Sequence, residues 1–409
     1  MISIFDRQND ILTIVSQLDI SPTMYKNAVE KYKALAAFLN DCGIDADFYP
    51  QGSFAIGTVV RPCYKGQDAS YDLDFICQLH FSRDSVAPSE LRARIEGALK
   101  SSDRYGGKLT KCGECFTIEY ADVNGVGFSI DIVPAADESN QKKHELKHFS
   151  ERPDLIETAI AIPRQDGDRN YSWLTNNPRG FKAWFDEINQ PFLEHHSFER
   201  RNKYLNEHRT FFDSVESIPH ELDHSAMQRV IQLLKYHRDH YYQCLPRKDH
   251  DDIKPISAII NTLVADISRH TAPTSDVFSL LTFVLNTLDI YAKQQTMPYD
   301  DFHEQYKGWS ALTRGSGLWR IQNPANPEDN LADKWNENPA IPEYFFRWVH
   351  ACRTDLIDSM QLPDDKFRTQ IENAFGTDAV RNCLGDLKYG NSKSKPINTL
   401  SASKPYHAL

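Results

Sequence analysis

The stretch that decides the fold reads QGSFAIGT over residues 51–58 and YDLDFI over residues 71–76. Successive side chains of a β-strand point to opposite faces, so Asp72 and Asp74 share one face and apolar neighbours take the other. Two carboxylates on one face repel each other unless a cation lies between them. The pattern therefore predicts a strand whose paired carboxylates bind a hard divalent ion, Mg²⁺ or Mn²⁺.

The Gly52-Ser53 pair ahead of this strand has the composition of a phosphate-binding turn. Such a turn offers backbone N–H groups and a hydroxyl, and both are common ligands of phosphate oxygens. We therefore predict that Gly52 and Ser53 bind phosphate next to the metal. Metal and phosphate together indicate nucleotide chemistry.

A third carboxylate, Asp131, lies in the apolar segment GFSIDIVP over residues 127–134. The dipeptide Asn124-Gly125 before it predicts a hairpin with the segment FTIEY at 116–120. An unpaired charge inside an apolar strand is costly, so Asp131 needs a partner. If its strand lies beside the strand of Asp72 and Asp74, the three acids suit two metal ions about 3.5–4 Å apart.

Composition limits the function classes. The chain has 409 residues, 40% of them hydrophobic and 25% charged, which suits a globular protein of two lobes. A net charge of −11 gives no general basic field, so we expect no binding of long nucleic acid. We expect no signal peptide and no membrane span. Eight scattered cysteines suit a reducing cytosol, so the predicted location is cytoplasmic.

The predicted fold class is α+β, with a mixed sheet first and a helical lobe second. Residues 137–175 are polar and are predicted to be irregular. The predicted domains are 1–177, 178–387 and a flexible tail at 388–409. The expected strands are 47–50, 71–79, 107–120 and 126–133, and the expected helices are 21–42, 88–100, 179–189, 223–243, 255–268, 274–293, 342–360 and 364–375.

Two residues of the helical half are candidates for phosphate contact. Lys235 borders the apolar stripe of the helix at 223–243, from which it can project into a cleft. Ser257 follows Pro255, which is predicted to occupy the first turn of the next helix. A hydroxyl at a helix start and a lysine suit a triphosphate, although a charged flank is most often a solvated face.

These segments together resemble the polymerase β-like nucleotidyltransferases, and among them the bacterial CD-NTases. Gly52-Ser53, Asp72-Leu73-Asp74 and the IDIVP segment at 130–134 carry the wider resemblance. The segments LKYHRD at 234–239, KPIS at 254–257 and NPANPEDNLA at 323–332 narrow it to this branch. The resemblance implies a polymerase β-like palm, a helical lobe like that of oligoadenylate synthase, and an active site between them.

The resemblance also implies the site residues. Asp72, Asp74 and Asp131 would be catalytic and bind two Mg²⁺ or Mn²⁺ ions. Gly52 and Ser53 would contact the triphosphate from the palm, and Lys235 and Ser257 from the helical lobe. One departure concerns Ala258, because some relatives place an aromatic residue there that stacks on a base.

The implied activity is synthesis of a cyclic di- or trinucleotide messenger from nucleoside triphosphates, ATP among them, with release of pyrophosphate, in anti-phage signalling. The alternatives are transfer to an RNA 3′ end or to a small-molecule acceptor, and a non-catalytic nucleotide-binding module. Some family members also have a ubiquitin-transfer-like partner that acts on the C-terminus. Here the chain ends in Leu409, which is not the small residue expected for such a partner.

Overall fold

The structure is a computed structural model that describes residues 2–61, 63–64, 67–68, 71–123, 126–167, 170–207, 224–246, 248–386 and 388–389. The predicted Asn124-Gly125 turn and nearly all of the predicted tail lie outside the described residues. The α+β prediction is confirmed. The strands are β1 (Ala46–Pro50), β2 (Cys63–Tyr64), β3 (Gln67–Asp68), β4 (Tyr71–Ser82), β5 (Leu109–Lys111), β6 (Phe116–Val123), β7 (Val126–Asp137), β8 (Ile160–Gln165), β9 (Tyr171–Asn176), β10 (Thr313–Gly315), β11 (Leu318–Arg320), β12 (Gln322–Asn323) and β13 (Asn326–Asn330).

Seven of these strands form one mixed sheet in the order β1-β4-β7-β6-β5, and β8 joins β7 to β9. β4 and β7 run parallel, whereas β6 pairs with β7 as an antiparallel neighbour. This arrangement confirms that the strand carrying Asp131 lies directly beside the strand carrying the other two acids.

The sheet is apolar on one face and acidic on part of the other. In β4, the side chains of Leu73, Phe75 and Cys77 are buried, whereas Asp72 and Asp74 point to the opposite face. Two helices, α2 (Pro22–Asp41) and α4 (Pro88–Lys100), cover the apolar face with residues such as Leu35 and Ile95. Alternation along the strand therefore directs the carboxylates away from the palm core.

Helices dominate the second half of the chain and share one large apolar core. The helix α1 (Ile4–Gln17) packs with them, because its residues Ile11, Ile14 and Val15 belong to that core. The domain boundaries at 177 and 387 stay a prediction. The remaining helices are α3 (Gly52–Ala55), α5 (Asn140–Phe149), α6 (Pro178–Glu207), α7 (Ala226–Gln243), α8 (His250–Ile253), α9 (Ser257–Ser268), α10 (Val277–Ala292), α11 (Tyr299–Gln305), α12 (Asp333–Glu337), α13 (Ala340–Leu356), α14 (Asp364–Phe375) and α15 (Thr377–Leu384). Among the helices of the described residues, none has the length and apolar character needed to cross a bilayer.

Three local predictions are wrong. The strand expected at 107–120 is instead two antiparallel strands, β5 and β6, joined at residues 112–115. Residues 137–175 are not irregular: they form α5, a 3₁₀ helix at Pro153–Thr158, and the strands β8 and β9. The buried apolar run at the start of β8 is short and is flanked by polar residues, so it gave little signal in the sequence. Pro255 does not lie in the first turn of a helix. Ile256 is extended at the N-cap and α9 begins at Ser257, while the Pro255 carbonyl accepts a hydrogen bond from Arg238.

The two halves are joined where α7 crosses the backbone of residues 56–61. Gln228 donates to the carbonyl of Ile56 at 2.9 Å, and Gln232 donates to the carbonyl of Val59 at 3.0 Å. Lys235 donates to the carbonyl of Thr58 at 3.0 Å. These three donors are spaced i, i+4 and i+7, so one stripe of α7 fixes the loop that follows Ser53.

The loop also depends on Gly57, which has a φ of +65° and faces Gln228. A Cβ at this position would lie 2.5 Å from Gln228 Nε2. We expect Gly57→Ala to lower the free energy of unfolding by about 2 kcal/mol, from backbone strain and this collision. The measurement is urea denaturation. The control is Gly97→Ala at an exposed position of α4 with no atom within 4 Å, which should stabilise by about 0.5 kcal/mol. Equal stability of the two variants would contradict this account of the loop.

Candidate functional site

Three carboxylates meet at the edge of the sheet. The parallel register places Asp74 directly opposite Asp131, and Asp72 precedes Asp74 by two residues on the same face. One oxygen from each of Asp72, Asp74 and Asp131 lies within 4.8 Å of the others. Among the described residues this is the one group of three or more acidic, histidine or cysteine side chains with such spacing.

Burial and mutual repulsion both act on these acids. The pKa of Asp74 is raised to about 7, mainly because burial disfavours its charged form and also because Asp72 and Asp131 carry like charge. The pKa of Asp72 is also raised, by surrounding protein atoms and by Asp131, although part of its side chain remains in contact with solvent. The arrangement is therefore unfavourable as three bare anions.

A hydrogen bond fixes the third carboxylate from behind. Thr117 on β6 donates its hydroxyl to Asp131 Oδ1 at 2.6 Å. Because β6 pairs with β7 and places Thr117 opposite Asp131, this contact follows from the sheet register. This hydrogen bond fixes the orientation of the Asp131 carboxylate beside the other two acids.

The donor set fits a hard divalent cation. It consists of carboxylate oxygens alone, their spacing lets one ion contact several of them, and a cation would offset the repulsion. Asp72, Asp74 and Asp131 are the residues that would hold it.

The Gly-Ser pair lies against the acids. Gln51 donates its backbone N–H to the carbonyl of Asp74 at 2.9 Å, which ties the start of the turn to β4. Gly52 has a φ of +61°, and a Cβ on it would lie 3.1 Å from Asp74 Oδ2. Glycine is therefore required for the close approach of backbone and carboxylate. Residues Gly52–Ala55 form a single short helical turn, where the sequence predicted only a turn.

Lys235 is buried directly behind Ser53. Its ammonium group donates to Ser53 Oγ at 2.8 Å, to Thr58 Oγ1 at 2.9 Å and to the carbonyl of Thr58 at 3.0 Å. These contacts use all three of its N–H donors. The side chain is 1% exposed, and burial holds the pKa of Lys235 well below its usual value. Lys235 thus acts on the cleft through Ser53, whose hydroxyl hydrogen is left free to donate elsewhere.

Ser257 occupies the first position of α9 and accepts a hydrogen bond from Arg238 Nη1 at 3.1 Å. Arg238 also bonds Asp239, its neighbour on α7. The sequence prediction missed Arg238 and Asp239, although both follow Lys235 by a single helical turn. That spacing was the signal that could have identified them.

A cavity of about 480 Å³ joins these residues into one cleft between the sheet and the helices. It is lined by six of the seven predicted site residues, and the seventh, Asp131, is joined to it through the acidic group. Several further lining residues had no predicted role. These are Phe54, Asn176, Lys182, Asn261, Asn323 and Asp329.

Comparisons with known proteins agree with this geometry. Residues 46–134 match the family described as the nucleotidyltransferase domain of DncV-like cyclic GMP-AMP synthases. The chain is 21% identical over 357 residues to a c-di-GMP synthase of Roseivirga ehrenbergii, covering 86% of this chain and 79% of that protein. It also resembles the structure of the Bradyrhizobium diazoefficiens CD-NTase CdnG in complex with GTP, with a TM-score of 0.64 and 20% identity. That alignment covers 93% of this chain and 98% of CdnG, and it shows a shared fold.

The raised pKa of Asp74 predicts a pH-dependent stability. In metal-free protein at pH 8, Asp74 is ionised in the folded state, which costs free energy, and Asp74→Asn removes that charge. We therefore expect unfolding of the variant to require on the order of 2 kcal/mol more free energy than unfolding of the wild type. This advantage should shrink as the pH falls from about 7 toward 4, because the folded wild type then takes up a proton on Asp74, whereas the unfolded chain stays ionised until near pH 4. The measurement is urea denaturation in chelator at several pH values.

Added Mg²⁺ or Mn²⁺ should raise the melting temperature of the wild type and have a smaller effect on Asp74→Asn. Asp103→Asn, at an exposed position outside the site, serves as the control and should behave like the wild type in both measurements. A variant at Asp74 that is less stable than the wild type at pH 8 without metal would contradict the proposed repulsion.

The contact between Lys235 and Ser53 predicts strong coupling. We expect Ser53→Ala and Lys235→Met each to lower kcat/KM for nucleoside triphosphate by roughly 10- to 100-fold. The double variant should be little worse than Lys235→Met alone, because the lysine acts through the serine. Lys182→Met is the matched control, since Lys182 also lines the cleft but pairs with Asp186, and its effect should be additive with Ser53→Ala. Additive effects of Ser53 and Lys235 would instead indicate direct phosphate contact by the lysine.

Proposed function

We propose that the chain acts as a nucleotidyltransferase of the CD-NTase family, which it resembles, and that it joins two nucleoside triphosphates into a cyclic dinucleotide. The observation that carries the proposal is the meeting of Asp72, Asp74 and Asp131 beside Gly52-Ser53 in one cleft. The relative named c-di-GMP synthase supports a guanine nucleotide as a substrate.

In the proposed reaction, a ribose hydroxyl of one nucleotide attacks the α-phosphorus of another. A new P–O bond forms, and the bond to the pyrophosphate oxygen breaks. A second transfer within the linear product would close the ring, favoured by the high effective concentration of a held end. Divalent ions, of which we propose two, would neutralise phosphate charge and lower the pKa of the attacking hydroxyl when bound.

The residues of the chain have distinct proposed roles. Ser53 donates its hydroxyl hydrogen to a phosphate oxygen, because Lys235 already donates to its Oγ. Ser257 and the amides at the start of α9 face the phosphates from the other side of the cleft. Asp131 accepts the hydroxyl proton at Oδ2, since Thr117 holds Oδ1.

We also propose that the product is a signal in anti-phage defence and that the protein works in the cytoplasm, as the family resemblance implies. A ubiquitin-transfer-like partner at the C-terminus stays a prediction. An RNA 3′ end or small-molecule acceptor is the alternative, and the experiment below includes it.

Asp131→Ala should abolish pyrophosphate release from nucleoside triphosphates with Mg²⁺ or Mn²⁺, because it removes the proposed proton acceptor. The circular dichroism spectrum should match that of the wild type, since the side chain contributes only to the cleft face of β7. The measurement is pyrophosphate release from purified protein given all four triphosphates without an acceptor, followed by mass spectrometry.

The wild type should give a product that resists both phosphatase and exonuclease, as expected for a ring. The matched control is Asp137→Ala at the far end of β7 from the acidic group, which should retain activity. Strict dependence of the wild type on added RNA or a small-molecule acceptor would replace the proposal with the alternative. Wild-type turnover by Asp131→Ala would refute the site.

A further inference from the structure

A polar side chain in the wall of the cleft has an unmet hydrogen-bonding requirement. Asn261 in α9 is 4% exposed, and its Oδ1 is buried without a hydrogen-bond partner. Leaving such an acceptor unpaired costs about 1–3 kcal/mol, so most buried amides in folded proteins are paired. The proposed roles of Ser53, Ser257 and the three acids do not account for Asn261.

The position of Asn261 directs this group toward the substrate. Ser257, Ala258 and Asn261 all line the cleft. Asn261 follows Ser257 by four residues, so both lie on one face of α9, and helical side chains lean toward the N-terminus of their helix. The carboxamide therefore lies over the turn that contains Ser257. Ala258 carries only a methyl group there, which leaves space for a flat ring above the turn.

The residue next to Asn261 is also a buried polar residue with an unpaired atom, and it serves as a comparison. Thr262 is 3% exposed, and its Oγ1 is also buried without a partner. Thr262 does not line the cleft, whereas Asn261 does. An unpaired polar atom alone therefore marks no ligand site in α9. The combination of an unpaired amide and a position in the substrate cleft distinguishes Asn261.

We propose that Asn261 recognises the guanine base of a nucleotide bound in the cleft, an inference that rests on the function proposed above. Guanine offers N1–H and O6 side by side on one edge. Oδ1 of Asn261 accepts the hydrogen bond from N1–H, and Nδ2 donates to O6. Ligand binding thus supplies the partner that the folded chain does not, and Asn261 sets base preference without contacting the reacting atoms.

Binding assays test this assignment independently of catalysis. The probes are α,β-methylene analogues of GTP, ITP and 2-aminopurine riboside triphosphate, so that no product accumulates, and the measurement is calorimetric Kd with Mg²⁺. ITP retains N1–H and O6, and 2-aminopurine lacks both. Asn261→Ala should raise the Kd of the GTP and ITP analogues by roughly 10- to 100-fold and leave that of the 2-aminopurine analogue unchanged.

A second variant excludes a merely structural role. Asn261→Leu removes the unpaired acceptor and fills the space with apolar atoms, so it should lose guanine preference without a fall in melting temperature. Thr262→Val makes the matching change one residue away and should leave every Kd unchanged. An equal loss of affinity for all three analogues, or unchanged affinity for GTP in Asn261→Ala, overturns the proposal.

The outcomes also separate this inference from the proposed function. If the wild type binds the GTP analogue and forms no cyclic product, the function fails while the role of Asn261 in base recognition stands. If the wild type forms cyclic product and Asn261→Ala keeps its preference for GTP over ATP in competition, the function stands and the role of Asn261 fails. Tighter binding of the wild type to the α,β-methylene analogue of ATP than to that of GTP likewise overturns the assignment to guanine.

Discussion

The parallel pairing of β4 with β7 is the constraint on which the site depends. It places Asp74 opposite Asp131, and the alternation of β4 adds Asp72 on the same face. A slip of one residue in this register would turn Asp131 into the palm core. The buried neighbours Ile130 and Ile132 on β7 resist that slip, because both would have to leave the apolar face. Burial of one face of the sheet thus holds three repelling carboxylates together on the other.

The second half of the chain positions the turn at Ser53, which we propose to bind phosphate, by contacts to the backbone of the loop that follows it. Helix α7 uses Gln228, Gln232 and Lys235 to bind carbonyl and hydroxyl oxygens between residues 53 and 59. Backbone carbonyls are rigid acceptors, so these contacts define where the loop lies more closely than side-chain pairs would. The same helix contributes Arg238 and Asp239 to the cleft. Its placement therefore links the packing of the helical core to the geometry of the turn at Ser53.

Local patterns in the sequence were enough to predict the elements that carry the acids. The alternation around Asp72 and the apolar run around Asp131 each have a strong period, and α2, α4 and α14 matched their predicted bounds closely. The β8–β9 pair was missed because its apolar run is short and is flanked by polar residues. Contacts between distant elements, such as Lys235 with Ser53, have no local signature, since they depend on how the two halves pack. The proposed role of Asn261 likewise had no signal in the sequence, because the missing partner of its side chain is seen only in three dimensions.

The cleft has unpaired groups of opposite charge type on its two walls. Three carboxylates lie close together on one wall, and a fully buried lysine lies behind Ser53 on the other. None of the ion pairs formed by the described residues links Lys235 to one of these acids. Lys235 donates its hydrogen bonds to neutral oxygens, and burial lowers its pKa. The metal-bound triphosphate proposed as the substrate would carry both charges that the cleft lacks, with cations for the acids and anionic oxygens near Ser53. Binding of that complex would lower the electrostatic cost at both walls together, which would favour the metal–nucleotide complex over either component alone.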